Sequence, residues 1–251
     1  MSKLISIIVP TYQHAASLPA CLESILGQVG LAEIDAQLEV IVVDDGSTDD
    51  TQEILAKLSG STSSVYPRGI PFTVITQENR GSNPARNRGL QAAQGEYVMF
   101  ADADVVLKPG MLKKCLTMLA AAPSNVGYAY TGFKFGWKTF RGVPFSGKRL
   151  RRVNFVHTTC LVKKSLFPGF DETIKRFQDW DVWLTMLERG IVGVLVPGVW
   201  FDVRIDGESR IGSAWLPAFV YALPWRWLPW KPSRVAKYEA ARQIMATKHK
   251  L

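Results

Sequence analysis

The chain has 251 residues, 47% apolar and 21% charged. That suffices for one large α/β domain or two small ones with a proper core, and it excludes a mainly disordered chain. The formal net charge of +8 points to an anionic partner, whether phosphorylated substrate, membrane surface or nucleic acid, while three scattered cysteines, Cys21, Cys115 and Cys160, exclude a zinc site or disulfide framework and read as buried free thiols.

In chain order, Leu4 to Val9 is a short Ile/Val run that reads as a buried parallel strand ending at Pro10. Ser17-Leu18-Pro19 starts a helix reaching about Gln28. Leu38 to Val43 is a second buried strand, running into Asp44-Asp45-Gly46-Ser47-Thr48-Asp49. Ser47 to Leu58 is predicted as a helix capped by Ser47, with an acidic first turn that suits the helix dipole. Ser59 to Ile70 is rich in Ser, Gly and Pro and reads as a loop. Phe72 to Thr76 is a third strand, Pro84 to Gln94 a helix stopped by Gly95, and Tyr97 to Ala101 a fourth strand that meets Asp102-Ala103-Asp104. Pro109 to Ala121 is another helix. This alternation predicts a doubly wound, mostly parallel sheet, in which ligands sit at the carboxyl ends of the strands.

After Pro123 the pattern changes. Val126 to Phe135 and Asn154 to Val162 are predicted strands, Gly136 to Arg152 a mobile basic loop, Asp179 to Arg189 a helix and Val192 to Val196 a strand. No Asp or Glu occurs from Val105 to Phe170, so one face of this region is expected to be positive. From Ser213 onward Trp215, Trp225, Trp227 and Trp230 mix with prolines ahead of a basic helical stretch. Trp with Lys and Arg suits a membrane interface, and packing on the chain's own core is the alternative. No uninterrupted apolar run reaches about 18 residues, and no signal peptide is expected.

Three motifs carry chemistry. Asp102 and Asp104 lie one residue apart at a strand end. Like charges this close need a cation, and hard oxygen ligands suit Mg2+ or Mn2+, which also grip phosphates. The Asp44–Asp49 turn offers a carboxylate to a base N–H or a ribose hydroxyl, or else simply caps a helix. The loop from Asn79 to Gly89 opens a helix with Arg86 in its first turn, and both features favour phosphate.

In order and spacing these elements resemble glycosyltransferase family 2, which has the GT-A fold. The resemblance runs from about Lys3 to Arg210. It includes Ile7-Ile8-Val9-Pro10-Thr11-Tyr12, the Asp44–Asp49 run, the Gly81/Ala85-Arg86-Asn87/Gly89 loop and the DxD triplet. Phe167-Pro168-Gly169-Phe170-Asp171-Glu172 and Gln178-Asp179-Trp180-Asp181-Val182-Trp183-Leu184 complete it. It implies an inverting, metal-assisted transfer from a nucleotide-sugar. Pro10, Thr11 and Tyr12 would line the base pocket and Asp45 would contact the base. Arg86 and Gly81 would lie near the ribose and diphosphate, Asp102 and Ala103 would bind the nucleotide-sugar, and Asp104, with Asp102, would hold the metal. Asp179 matches the family's general base. Asp181 is the rival, but on a helix the two side chains point about 200° apart. Gln178 and Gln13 depart from the usual Glu and Asn, which leaves the donor sugar open.

The expected organisation is a GT-A domain over residues 1–212, with a donor half (1–104) and an acceptor half (105–212), plus an extension at 213–251. The expected partners are a nucleoside-diphosphate sugar and a carbohydrate or lipid-linked acceptor, anionic where it meets Arg149, Arg151 and Arg152. The expected place is the cytoplasm or the cytoplasmic membrane face, and no nucleic acid is expected, since three acidic turns along one sheet edge repel phosphates unless metal-loaded. Arg204 is read either as assisting the diphosphate or as paired with Asp202 or Asp206, and His157 either as structural or as part of the site. A nucleotidyltransferase is disfavoured because Pro10 to Leu18 lacks Lys and Arg, and an inactive sugar-nucleotide binder because Asp102, Asp104 and Asp179 are intact.

Overall fold

The computed structural model describes residues 2–59, 69–205 and 232–251. Four parallel strands form the first half of one sheet: β1 (Lys3–Thr11), β2 (Ala36–Asp44), β3 (Phe72–Thr76) and β4 (Tyr97–Phe100). The second half is mixed and comprises β5 (Val105–Leu107), β6 (Val126–Phe135), β7 (Lys138–Phe140), β8 (Leu161–Lys163) and β9 (Val192–Val203). The spatial order is β3-β2-β1-β4-β8-β6-β9-β5, and β7 hangs on β6 as a hairpin. The sheet stays parallel until β8 enters antiparallel to β4, and β6 and β9 resume parallel pairing beyond it.

Alternation along β1 explains the two cores. Ile5, Ile7 and Val9 face the helices α1 (Leu18–Leu26) and α4 (Met111–Ala120) in one cluster, which also takes Leu55 of α2 (Thr51–Ser59). Ile8 faces the other cluster, beneath α3 (Ser82–Ala92), α6 (Gln178–Glu188) and Met245 of α7 (Ser233–His249). A short helix α5 (Gly147–Leu150) lies between β7 and β8. On α3, Gly89 permits contact that no other residue could: an added Cβ would stand 2.4 Å from Ile8 Cγ2. The three cysteines are free and buried, and burial lifts the Cys115 thiol to about 12.

Several expectations are corrected. The second helix begins at Thr51, because residues 47–50 form a turn whose backbone is held by side chains; Ser47 is therefore not its cap, and its hydroxyl accepts from Gln13 N–H instead. Gly95 is not a helix stop: its N–H donates to Ser6 Oγ and Glu39 Oε1, and Ala93 closes α3. Of the predicted strand Asn154 to Val162 only Leu161–Lys163 pairs, since Asn154 and His157 side chains take the N–H groups of Val156 and Thr159 that a ladder would need. The basic loop of residues 136–152 contains β7 and α5, and it is pinned where Tyr130 Oη donates to the Val143 carbonyl and where Leu150 is fully buried. The last strand continues to Val203, well past Val196. The 212/213 boundary and Trp215 to Trp230 lie outside the described residues, whereas the basic helical stretch after them is α7. No described helix is long and apolar enough to cross a membrane.

Candidate active site

At the carboxyl edge of the parallel half, three loops bind one another. Gln13 takes a left-handed backbone (φ 58°), and its amide group bonds Thr48 Oγ1 and the N–H groups of Thr48 and Asp49. Asp49 Oδ2 in turn accepts from Ala15 N–H. Asp45, 3% exposed, uses both carboxylate oxygens on the next loop: Oδ1 accepts from Gln77 Nε2 (2.8 Å) and Arg80 N–H (2.9 Å), and Oδ2 from Gly81 N–H (2.7 Å). Gly81 can present that N–H because it sits at φ 98°, where a side chain would be strained. The carboxylate expected to read a base thus fixes the arginine-bearing loop.

That loop delivers Arg86 to the DxD triplet. Arg86 is buried; its Nη2 lies 2.6 Å from Asp102 Oδ1, its Nη1 donates to Asn83 Oδ1, and its guanidinium stands 5.2 Å above the Phe170 ring. Burial pushes the Asp102 carboxyl up, but Arg86, helped by His157 and His14, outweighs it and holds Asp102 below the usual carboxylate range. Asp102 also anchors the triplet through its carbonyl, which accepts from Val105 N–H and from the Cys21 thiol (3.5 Å). Ala103 is buried and Asp104 is partly exposed; the Asp104 carbonyl accepts from Arg204 N–H at 2.9 Å. Asp202 lies 3.8 Å from Lys108 Nζ, so its charge partner is not the Arg204 considered from sequence, and Asp206 is outside the described residues.

The Phe167 to Glu172 segment closes the site from the side. Asn87 grips Phe170 through its carbonyl and its N–H (2.8 and 2.9 Å), and Asn83 Nδ2 takes the carbonyls of Asp171 and Ile174. Phe167 and Phe170 pack on Phe100 of β4, with centroids 5.1 and 4.9 Å away.

Across the cleft, α6 begins after Phe177, whose left-handed φ of 62° turns the chain into the helix. Asp179 is therefore not the helix cap. Its Oδ2 accepts from Asn154 Nδ2 (2.7 Å) and its Oδ1 from Trp180 N–H (2.8 Å). Burial raises its pKa, and His157 and those two donors offset part of the rise. Asp181, two residues on, is committed elsewhere. It is 4% exposed and takes His249 Nε2 (2.8 Å) and Lys248 Nζ (2.7 Å) from α7, with Lys248 also reaching Asp171. The rival for the base is a structural ion-pair centre.

His157 feels the charge of both Asp102 and Asp179. Its ring packs on Phe133 and Phe201, with centroids 4.8 and 5.1 Å away. Burial lowers its pKa, and Asp102 first, then Asp179, pull it back up. Sequence reasoning did not single out Gln77, Asn83, Gln13 or Asn154 as the side chains that hold Asp45, Arg86, the Asp49 turn and Asp179. Asn83 and Asn87 lay within the quoted Asn79–Gly89 run, in the first turns of α3. Gln13, Gln77 and Asn154 are amides in loops, and their roles exist only once distant segments meet.

The donor set fits a cation shared with substrate phosphates. Two carboxylates one residue apart supply hard oxygens, and no group of three His, Cys, Asp or Glu side chains among the described residues forms a closed protein cage. Thr11 Oγ1, Asp44 Oδ2 and Arg86 Nε are buried at this edge without a hydrogen-bond partner among the described residues, which leaves them open to a ligand.

A parallel nucleotide-type half with its polar loops at the carboxyl edge, joined to a mixed half that brings a separate carboxylate to the same cleft, defines the GT-A class of glycosyltransferase. The mannosyltransferase PcManGT from Pyrobaculum calidifontis, solved with GDP-Man and Mn2+, superimposes with a TM-score of 0.64 at 22% identity, covering 96% of this chain and 69% of that one. The family model for glycosyl transferase family 2 matches residues 6–170, and the chain belongs to that family. The uncharacterized glycosyltransferase YibD of Escherichia coli (strain K12) is 36% identical over 146 residues, 56% of this chain. This chain spans only 38% of YibD's length. TuaG of Bacillus subtilis (strain 168), a glycosyltransferase named provisionally for teichuronic acid biosynthesis, is 26% identical over 234 residues, 87% of each chain.

Proposed function

We propose that this chain transfers a sugar from a nucleoside-diphosphate sugar to an acceptor hydroxyl with inversion, Asp179 acting as general base. The observation that carries the reading is the division of labour on α6: Asp181 is sequestered by Lys248 and His249, while Asp179, of raised pKa, lies within electrostatic reach of His157 and, through it, of Asp102. A raised pKa brings a carboxylate nearer the range in which it takes a proton efficiently at neutral pH.

In this reading Pro10, Thr11 and Tyr12 line the nucleoside side. Asp45 acts by holding the Gly81 loop, so that Arg86 meets the Asp102 side of the site. Asp102 and Asp104 are the residues that would hold Mn2+ or Mg2+, which supplies charge neutralisation of the departing diphosphate when bound. Arg86 adds a permanent positive charge there. Asp179 takes the acceptor hydroxyl's proton as its oxygen attacks the anomeric carbon, and the bond to the diphosphate breaks on the opposite face. The Asn154 and Trp180 donors keep that carboxylate aimed.

The donor half is assigned to residues 1–104 and the acceptor half to 105–212. The acceptor is a carbohydrate or a lipid-linked glycan with an anionic portion, as in surface-polymer synthesis. Exposed Lys134, Lys138, Arg141, Arg149, Arg151 and Arg152 on the acid-free stretch support this. Attachment to the cytoplasmic membrane face is kept as part of the proposal, its Trp-rich segment lying outside the described residues.

The test is nucleoside diphosphate release from a panel of UDP-, GDP- and dTDP-sugars, with acceptor, in Mn2+ and in chelator. Release that depends on the metal and on acceptor is expected. No release from any donor overturns the reading, and chelator-insensitive release removes the metal role of Asp104.

A further inference from the structure

His157 is not needed by the steps above, and its surroundings are unusual for a core histidine. The backbone N–H of Thr159 donates to its Nδ1 at 3.1 Å, which makes Nδ1 an acceptor and leaves the ring proton on Nε2. The ring packs at a tilt against the stacked pair of Phe133 on β6 and Phe201 on β9, and Cys160 Sγ donates to the His157 carbonyl at 2.9 Å, so the turn that carries it is also pinned. No described residue accepts a hydrogen bond from Nε2. The ring is only partly covered, and it feels Asp102, Asp179 and Arg86 together.

We propose that His157 contacts the substrate: its Nε2–H donates to a hydroxyl of the transferred sugar and holds that sugar between the Asp102 side of the cleft and Asp179. This rests on the sugar transfer proposed above and adds a residue that selects the donor's sugar. The chemistry points to a hydroxyl rather than a phosphate. Asp102 and Asp179 make the space beside His157 electronegative, and the fixed positive charge of Arg86 is already engaged by Asp102. A group able both to accept from Nε2–H and to donate to a neighbouring carboxylate fits such a place, and a sugar hydroxyl does both. A purely structural ring against the Phe133–Phe201 pair would pack equally well as a third phenylalanine, without an N–H to satisfy.

His157→Phe keeps the packing and removes the donor, and His157→Gln returns an N–H at similar reach. On the natural donor, H157F should lower kcat/KM about tenfold, the worth of one neutral hydrogen bond, while the Kd for the free nucleoside diphosphate, measured by calorimetry, stays within about twofold. H157Q should recover part of the loss. Across a panel of monodeoxy donors, one sugar should be turned over equally by wild type and H157F, and that sugar identifies the hydroxyl held. The proposal is overturned if H157F works at the wild-type rate. It is also overturned if both variants lose rate equally on every deoxy donor together with Tm and nucleoside diphosphate affinity, which marks a structural role. Wild-type protein that releases nucleoside diphosphate from no donor sinks the transfer reading itself, and this proposal with it. Wild-type turnover with H157F unaffected sinks the His157 role alone.

Discussion

The two halves of the sheet fix their functional side chains by different means. In the parallel half, polar loops hold polar loops: Asp45 takes three N–H groups of residues 77–81, and Gln13 sews residues 48 and 49 to the end of β1. In the mixed half, aromatic rings do the holding. The stacked rings of Phe133 and Phe201 pack on His157, and Trp180 and Trp183 root α6 in the core through N–H bonds to the carbonyls of Leu150 and Val156. A hydrogen-bonded loop fixes backbone N–H groups in space, which suits phosphate and nucleoside. A packed ring fixes one side chain at one angle, which suits a base or a sugar contact.

The sharpest break of this contrast is at Asp179. Asp179→Asn should cut transfer by about 10² to 10⁴, the usual worth of a general base, and leave nucleoside diphosphate affinity intact; weakened nucleotide binding would place Asp179 on the donor side after all. The counterpart in the parallel half is Asp45→Ala, which strands three donors that a charged acceptor satisfied. A stability loss of about 2–3 kcal/mol is expected, with nucleotide affinity falling in parallel, and denaturant titration with calorimetry checks both. Asp181→Asn separates the two carboxylates of α6. It should lower the Tm, by about 2–4 °C for each kcal/mol lost, with kcat close to wild type, and a kcat collapse at unchanged Tm would reverse the assignment.

The smallest effect is pH dependence at the α6–α7 contact. Burial opposes the His249 charge, but Asp181 and Glu188 outweigh it and raise its pKa above the ordinary histidine value. A group whose folded pKa is raised stabilises fully below about 6.5 and loses that contribution as pH climbs through the folded value. Lys248 and Asp171 share the network, and Arg151 and Lys250 line the depression beside it. On the acid side, hydrogen bonds from Lys248 and then Thr173 hold Asp171 at about 2, so its contribution is present above about 4 and is lost on acidification toward 2. His249→Gln should flatten the Tm profile as pH rises above about 6.5; an unchanged slope would show that α7 docks by apolar contact alone.

Much of the parallel half was legible because each signal there is local. A strand buried on both faces reads as an Ile/Val run, so β1 to β4 were legible together with the polar turns at their carboxyl ends. The mixed half was less legible. Residues 154–160 have strand composition, but their backbone bonds go to Asn154 and His157 side chains, a choice no periodicity encodes. The partner of Asp181 lies 68 residues away, and only α7 folding back reveals that of two similar carboxylates one is spent on structure. The partners of Asp45 within the chain were hidden for the same reason: a carboxylate at a strand end announces that it accepts hydrogen bonds, not from whom.

The buried cysteines offer something of practical use. Cys21 is tied to the carbonyl of Asp102 and Cys160 to that of His157, so each thiol is the hidden end of a backbone contact whose other end faces the cleft. Both are silent toward alkylating reagents while the fold is closed. Timed labelling read by mass spectrometry therefore turns them into two local clocks, Cys21 recording how often the Asp102 edge opens and Cys160 how often the His157 turn does, with Cys115 in the core as the reference for complete unfolding.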